Sequence, residues 1–100
     1  MYRQGDVLVR PIQKLPDGVK KSKVKRVVLA EGEVTGHCHE ILDVENVELL
    51  QDADGNLYLD VKEPAELTHQ EHSTITIPPG TYEIVRQREY SPEEIRRVAD

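Results

Sequence analysis

Short runs of apolar residues, several of them alternating with polar ones, recur along the chain and are separated by turn residues about every 8–12 positions. The runs are rich in Val, Ile, Leu and Tyr, which suit the pleated surface of a strand. The predicted strands cover residues 6–10, 24–30, 37–44, 46–50, 57–61, 73–77 and 81–90. Many short strands with regular turn signals indicate an all-β chain, built as a small antiparallel barrel or sandwich.

Two turn signals predict which strands are neighbours. Asp54-Gly55, between two apolar runs, is a strong hairpin signal. Acidic residues around it have some of the spacing of a calcium-binding loop, but the glycine position and the strand-like flanks favour the hairpin. Pro78-Pro79-Gly80 predicts a tight connection, which would place residues 75–77 beside residues 82–85.

The C-terminal residues carry the signals of a helix start. Ser91 suits the N-cap, Pro92 the first helical position and Glu94 the third, where acids favour the positive end of the helix dipole. A short helix of about two turns is expected at residues 91–99. The 100 residues fit one domain, and we expect a single β domain over residues 1–100.

The amino-acid composition bears on the size of the core, on disulfide bonding and on the cellular location. The chain has no Phe, no Trp and only one cysteine, Cys38, so its core is thin and an intramolecular disulfide is excluded. It has no N-terminal apolar run and no apolar stretch near the roughly 18 residues that a membrane span needs. We therefore expect a cytoplasmic protein without a membrane anchor.

Charge is unevenly distributed along the chain. Residues 1–30 hold eight Lys and Arg against two Asp and Glu, while the formal net charge of the whole chain is −6. The basic residues concentrate at residues 20–26, but a net negative chain repels phosphate, so we do not expect nucleic acid as a partner. The basic segment can instead pair with acidic surface of this chain or of a neighbouring copy.

All four histidines lie in two short segments, His37-x-His39 and His69-x-x-His72. On a strand, the first two share a face, and neutral imidazoles that share a face can bind one divalent ion. The last two approach each other only if their segment turns. We predict that the fold brings the segments together and that His37, His39, His69 and His72 bind a divalent metal ion. Zn, Fe, Mn and Ni all stay open, as does the alternative of two surface or hydrogen-bonded pairs.

Cys38 lies between the first two histidines. On a strand it faces away from them and acts as a small buried apolar residue. If the segment is a loop, the thiol joins the ligands and favours Zn or Cu(I).

Two segments resemble the sequence motifs of the cupins. Residues 32–39, Gly-Glu-Val-Thr-Gly-His-Cys-His, resemble the first motif, and residues 78–80, Pro-Pro-Gly, resemble the Pro-x-Gly of the second. The chain also resembles small bacterial and phage proteins of unassigned function with Gly-His-x-His and Pro-Pro-Gly-x-Tyr segments. The cupin resemblance implies a small barrel with inward-pointing histidines that bind a divalent metal.

The chain departs from the cupin pattern after the Pro-Pro-Gly. Glu83 stands where the third cupin histidine is expected, and His69 and His72 precede the motif. The implied shell is His37 and His39, then His69 or His72, completed by Glu83 or water.

Two functions follow from these observations. The first is a small metal-binding, cupin-like domain that acts as a minor enzyme or binds a small molecule; whether it is an enzyme stays open. In that function Tyr82 and Glu83 are the candidate proton-transfer residues, on position alone. The alternative is a non-catalytic interaction module without metal, which forms a homo-oligomer through its helix and last strand.

Overall fold

The computed structural model describes residues 1–22, 24–31 and 36–86. Within these residues the chain forms ten strands and one short 3-10 turn at Val44–Asn46. The strands are β1 Tyr2–Gln4, β2 Val7–Pro11, β3 Lys20–Lys21, β4 Val27–Glu31, β5 Cys38–Ile41, β6 Val47–Gln51, β7 Leu57–Val61, β8 Ala65–Thr68, β9 Ile75–Ile77 and β10 Gly80–Arg86.

Antiparallel pairing arranges these strands in two sheets. The larger sheet has the order β1-β2-β10-β7-β6-β3, and the smaller has the order β4-β5-β8-β9. Hairpins join β1 to β2, β4 to β5, β6 to β7 and β8 to β9, while β10 fits between β2 and β7. The predicted all-β class is confirmed. The described strands form a two-sheet sandwich and do not close into a barrel.

Apolar side chains between the two sheets form the core. Ile41, Leu59, Leu67 and Ile77 are completely buried. They come from both sheets, because residues two apart on a strand point to the same face and the apolar alternation places that face inward. Burying such a side chain stabilises the fold by roughly 1.5–3 kcal/mol.

The pattern of apolar residues located several strands well. Strand β7 begins and ends at the predicted residues, and β9 ends at the predicted residue but begins two residues later. Strand β5 is shorter than predicted, so His37 precedes the strand and does not share a strand face with His39. The shortening follows from the glycine bend before it and the 3-10 turn after it.

The predicted pairing of residues 75–77 with residues 82–85 is wrong. Strand β9 belongs to the smaller sheet and β10 to the larger one, so Pro78-Pro79 connects the two sheets. Proline lacks a backbone N–H and cannot extend the ladder on which β9 ends, which favours a change of sheet there.

Several expectations fall outside the described residues. These are the helix at residues 91–99, the last four residues of the predicted strand 81–90, and residues 32–35 of the cupin-like segment. Among the described residues, no helix is long and apolar enough to cross a membrane.

The Asp52–Asn56 turn confirms the predicted hairpin between β6 and β7. The Asp52 carboxylate accepts hydrogen bonds from the backbone N–H groups of Asp54 and Asn56, from Asn56 Nδ2 and from the Tyr58 hydroxyl. The Asn56 and Asp54 hydrogen bonds lower the pKa of Asp52 despite some desolvation. The acid therefore closes the turn itself.

The basic segment pairs with acids of the same chain. Lys21 Nζ lies 3.0 Å from Glu48 Oε2. Arg26 donates to both carboxylate oxygens of Glu40, at 2.7 and 3.0 Å. Charge on residues 20–26 is thus partly neutralised on the protein's own surface.

A core substitution tests this packing. Leu59→Ala should lower the free energy of unfolding by about 2–5 kcal/mol, because it leaves a cavity at a fully buried site in the larger sheet. Leu42→Ala is the matched control, since Leu42 is 60% exposed, and it should change stability by less than about 0.5 kcal/mol. Denaturant unfolding measures both, and equal effects would contradict the assigned core.

Candidate functional site

Three connecting segments and one strand meet at one end of the sandwich. They are the Gly5-Asp6 turn between β1 and β2, residue 37 ahead of β5, residues 69–74 between β8 and β9, and β5 itself. We call the rings of His37, His39, His69 and His72, together with the side chains of Gln4 and Asp6, the loop-end site.

The four imidazole rings of this site lie against one another. The ring centroid of His69 is 4.4 Å from that of His39, 4.6 Å from that of His72 and 5.6 Å from that of His37. The rings of His39 and His72 are nearly parallel, with centroids 6.0 Å apart. Residues more than thirty positions apart in the chain are thus in contact.

A backbone contact holds the two histidine segments side by side. The backbone N–H of Cys38 donates to Gln70 Oε1 at 2.9 Å. The Cys38 thiol itself points to the other face of β5, where it lies 3.8 Å from Arg26 Nη2 and from Glu40 Oε1. It is buried and is directed away from the rings, as the strand alternative predicted.

Gln4 fixes the position and tautomer of His39. Its Nε2 donates to the carbonyl oxygens of Leu67 and Ser73, both at 2.9 Å, so its Oε1 must face His39 Nδ1 at 2.8 Å. Because an amide oxygen can only accept, His39 carries its proton on Nδ1. The side chains of Gln4 and His39 are each only 2% exposed, which shields these hydrogen bonds from water.

Opposing charges act on the other nitrogen of His39. Its Nε2 lies 3.5 Å from Asp6 Oδ1, and this carboxylate favours a second proton on the ring. Burial opposes this second proton most strongly, and the neighbouring His69, His72 and Arg86 also oppose it. The balance lowers the pKa of His39 to about 4, so the ring is neutral near pH 7.

Asp6 is held by a cation on its other side. Arg86 Nη2 lies 3.3 Å from Asp6 Oδ2 and donates to the Glu31 carbonyl oxygen at 3.1 Å. Burial alone would raise the pKa of Asp6, but the hydrogen bond and charge of Arg86 outweigh it and lower the pKa. Arg86 therefore connects β10 of the larger sheet with β4 of the smaller sheet through the loop-end site.

His69 is also held as a neutral ring. The backbone N–H of Glu71 donates to His69 Nδ1 at 3.0 Å, so that nitrogen is unprotonated and the neutral ring carries its proton on Nε2. Desolvation, followed by the neighbouring His72 and His37, lowers the pKa of His69. His37 Nδ1 lies 3.8 Å from Glu71 Oε2 at the edge of the site.

Gly5 makes room for the exposed ring of His72. Its φ of +62°, together with a non-positive φ at Asp6, fits a type II′ hairpin turn. A Cβ on Gly5 would lie 2.7 Å from His72 Nε2, so the ring packs directly on the turn. Glycine is needed here for the backbone angle and for the close approach.

The predicted metal-binding function is wrong. No group of three or more His, Cys, Asp or Glu side chains is arranged to hold a metal ion anywhere in the part of the chain that the structure describes. A metal needs nitrogen lone pairs, which lie in the ring planes, to converge on one point. In this site the planes of neighbouring rings meet at angles from 15° to 86°, and the Nδ1 atoms of His39 and His69 are already hydrogen-bonded.

The two candidate proton-transfer residues lie away from this site. Tyr82 is buried in the core, where its hydroxyl donates to the Pro78 carbonyl oxygen at 2.7 Å. Glu83 points to the opposite face of β10 and forms an ion pair with Arg10. Neighbours on a strand face opposite ways, so the two cannot act together on one group.

Four residues at this site were not predicted from the sequence: Gln4, Gly5, Asp6 and Arg86. The Gly-Asp pair is a two-residue hairpin signal and could have located the turn. No local pattern marks Gln4 or Arg86, because their roles depend on contacts with Leu67 and Glu31, far away in the chain.

Fold and site together define the class of this protein: a small two-sheet β domain with titratable rings packed between the loops at one end. A family model described as Domain of unknown function (DUF8820) matches residues 3–87, and the chain belongs to that family. No curated protein and no solved structure matches the chain. Neither a cupin link nor a phage-family link is found, so those resemblances are not supported.

Replacing Gln4 tests its role in joining the segments. Gln4→Met keeps the length of the side chain but leaves His39 Nδ1–H and the Leu67 and Ser73 carbonyls without partners. It should lower the free energy of unfolding by about 2–4 kcal/mol. Gln13→Met, at an exposed position, is the matched control and should be nearly neutral. Equal stability of the two variants in thermal or denaturant unfolding would refute the role given to Gln4.

Replacing Gly5 tests the packing of His72. Gly5→Ala should destabilise the fold by about 1–2 kcal/mol, from the positive φ, and should displace the His72 ring. Gly55→Ala is the control, because Gly55 has a similar positive φ of +90° and a Cβ there would come no closer than 3.9 Å to its nearest neighbour, Gln51 Nε2. Histidine NMR resonances should move only in the Gly5 variant. An unchanged His72 signal there would contradict the contact.

Proposed function

We propose that this domain is a metal-independent, acid-responsive structural module. Its loop end is held together by neutral imidazoles near neutral pH and loosens when they take up protons. The single observation that carries the proposal is the buried hydrogen bond from His39 to Gln4, in which the neutral ring joins strands β1, β5 and β8.

The sign of the pH effect follows from the neutral state of His39. In the unfolded chain a histidine has a pKa near 6.5, whereas the pKa of folded His39 is about 4. Between these values the unfolded chain binds a proton that the folded site does not. The stabilisation is therefore complete above about pH 6.5 and is lost as the pH falls toward about 4.

The neighbouring groups make the site sensitive to more than one proton. His39 faces Asp6 on the β1–β2 turn, His69 and His72 on the β8–β9 connection, and Arg86 on β10. Only Asp6 among these favours a charged ring. Protonating His69 would also break the hydrogen bond from the Glu71 N–H, because Nδ1 could no longer accept it. Each proton taken up therefore opposes the next and weakens the contact between segments.

The effect has a separate pH window from ordinary acid unfolding. Aspartate and glutamate side chains change the free energy of unfolding mainly below about pH 4.5, near their ordinary pKa values. From about pH 7 to pH 5, His39 alone should account for a loss of about 2 kcal/mol, with His69 adding in the same direction. Such a module would keep its loop-end surface ordered at neutral pH and release it in mild acid.

His39→Asn tests the proposal. Asparagine can keep a donor near the position of Nδ1 and so bond to Gln4 Oε1, but it does not titrate. The free energy of unfolding of the unmodified protein should fall by about 2 kcal/mol between about pH 7 and pH 5, and that slope should largely disappear in the variant.

Two controls sharpen this test. His72→Asn removes an exposed histidine of the same site and should leave most of the slope in place. The titration should also be unchanged by EDTA, since the proposal needs no metal. An unmodified protein with flat stability across this pH range, or a slope that persists in His39→Asn, would overturn the proposal.

A further inference from the structure

A groove of about 370 Å³ lies beside the loop-end site. Its walls come from β4 of the smaller sheet and from β7 and β10 of the larger one. Leu29, Leu57 and Ile84 supply apolar surface, and the latter two are only partly buried although they pack against the core. Its size falls at the lower end of the range of small-molecule pockets.

Arg86 lines this groove and has donor capacity to spare. Its Nη2 donates hydrogen bonds to Asp6 Oδ2 and to the Glu31 carbonyl oxygen. The Nε–H group is buried without a hydrogen-bond partner among the described residues. A buried donor of a charged group that lacks an acceptor is unfavourable, and a carboxylate is the acceptor whose geometry suits a guanidinium best.

The structure assigns this groove as a binding site for a small carboxylate with a short apolar body. The carboxylate would accept from the Arg86 guanidinium, and the body would lie on Leu29, Leu57 and Ile84. Glu83, the acid at the groove, is paired with Arg10 and does not compete for Arg86. The groove shares Arg86 with the loop-end site, but carboxylate binding is tested near neutral pH and does not depend on the titration of His39, so the two proposals can fail independently.

Hexanoate, hexanamide and hexylammonium form a matched set of probes, because they share a tail and differ in charge. Titrated into the full chain at about pH 7.4, hexanoate should shift the backbone amide resonances of Leu57 and Ile84 with a Kd on the order of 1 mM. Hexanamide should bind at least about tenfold more weakly, and hexylammonium should not bind. Equal shifts from hexanoate and hexanamide, or none from hexanoate up to about 20 mM, would overturn the inference.

Variants locate the binding. Arg86→Gln should abolish the hexanoate shifts, whereas Arg3→Gln, at an exposed arginine outside the groove, should keep them. Arg86 also bonds to Asp6 and Glu31, so Ile84→Phe provides a second variant, which narrows the groove and leaves the guanidinium in place. It should weaken hexanoate binding at least about fivefold. Undiminished binding in a folded Arg86→Gln or Ile84→Phe protein would refute the site.

Discussion

The hydrogen bonds of the Gln4 carboxamide hold the loop end of this protein together. One buried side chain on β1 bonds to the ring of His39 on β5, to the carbonyl of Leu67 on β8 and to the carbonyl of Ser73 beyond it. Gln4 lies in the larger sheet, whereas its partners lie in the smaller sheet or in the loop between two of its strands, so these hydrogen bonds join the two sheets. Since every polar atom of the amide is used, its orientation and the tautomer of His39 are fixed together.

The rest of the site follows from that constraint. A ring that donates from Nδ1 presents Nε2 to Asp6, and Asp6 is in turn held by Arg86, which reaches the Glu31 carbonyl on the other sheet. His69, His72 and Arg86 oppose protonation of this buried neutral ring, while Asp6 favours it. Burial decides the balance, because a charge on His39 would have almost no water around it.

Much of the fold could be predicted from the sequence, for reasons visible in single strands. The alternation in Leu57–Val61 predicted the correct strand limits, that in Ile75–Ile77 located β9 and its end, and Asp54-Gly55 predicted the correct hairpin. The sheet to which each strand belongs was harder to predict from the sequence, because β9 would show the same alternation in either sheet. Pro78-Pro79 was interpreted as a hairpin connection although it passes between sheets.

The site was only partly predictable, for a different reason. The two histidine segments do meet, but residue spacing cannot determine the orientation of an imidazole about its side-chain bonds. Orientation decides whether ring edges converge on an ion or ring faces pack, and here it depends on Gln4 and on the Glu71 N–H. Glutamine on a short strand has the sequence signature of a surface residue, so its burial follows only from the tertiary fold.

The most direct test of the account is a ¹H–¹⁵N NMR spectrum of the imidazole side chains, recorded as a function of pH. It reports the protonation state and the tautomer of each ring. We expect His39 to be the Nδ1–H tautomer at neutral pH and to stay neutral down to about pH 5. A His39 ring that carries its proton on Nε2, or that titrates near its ordinary value of about 6.5, would contradict it.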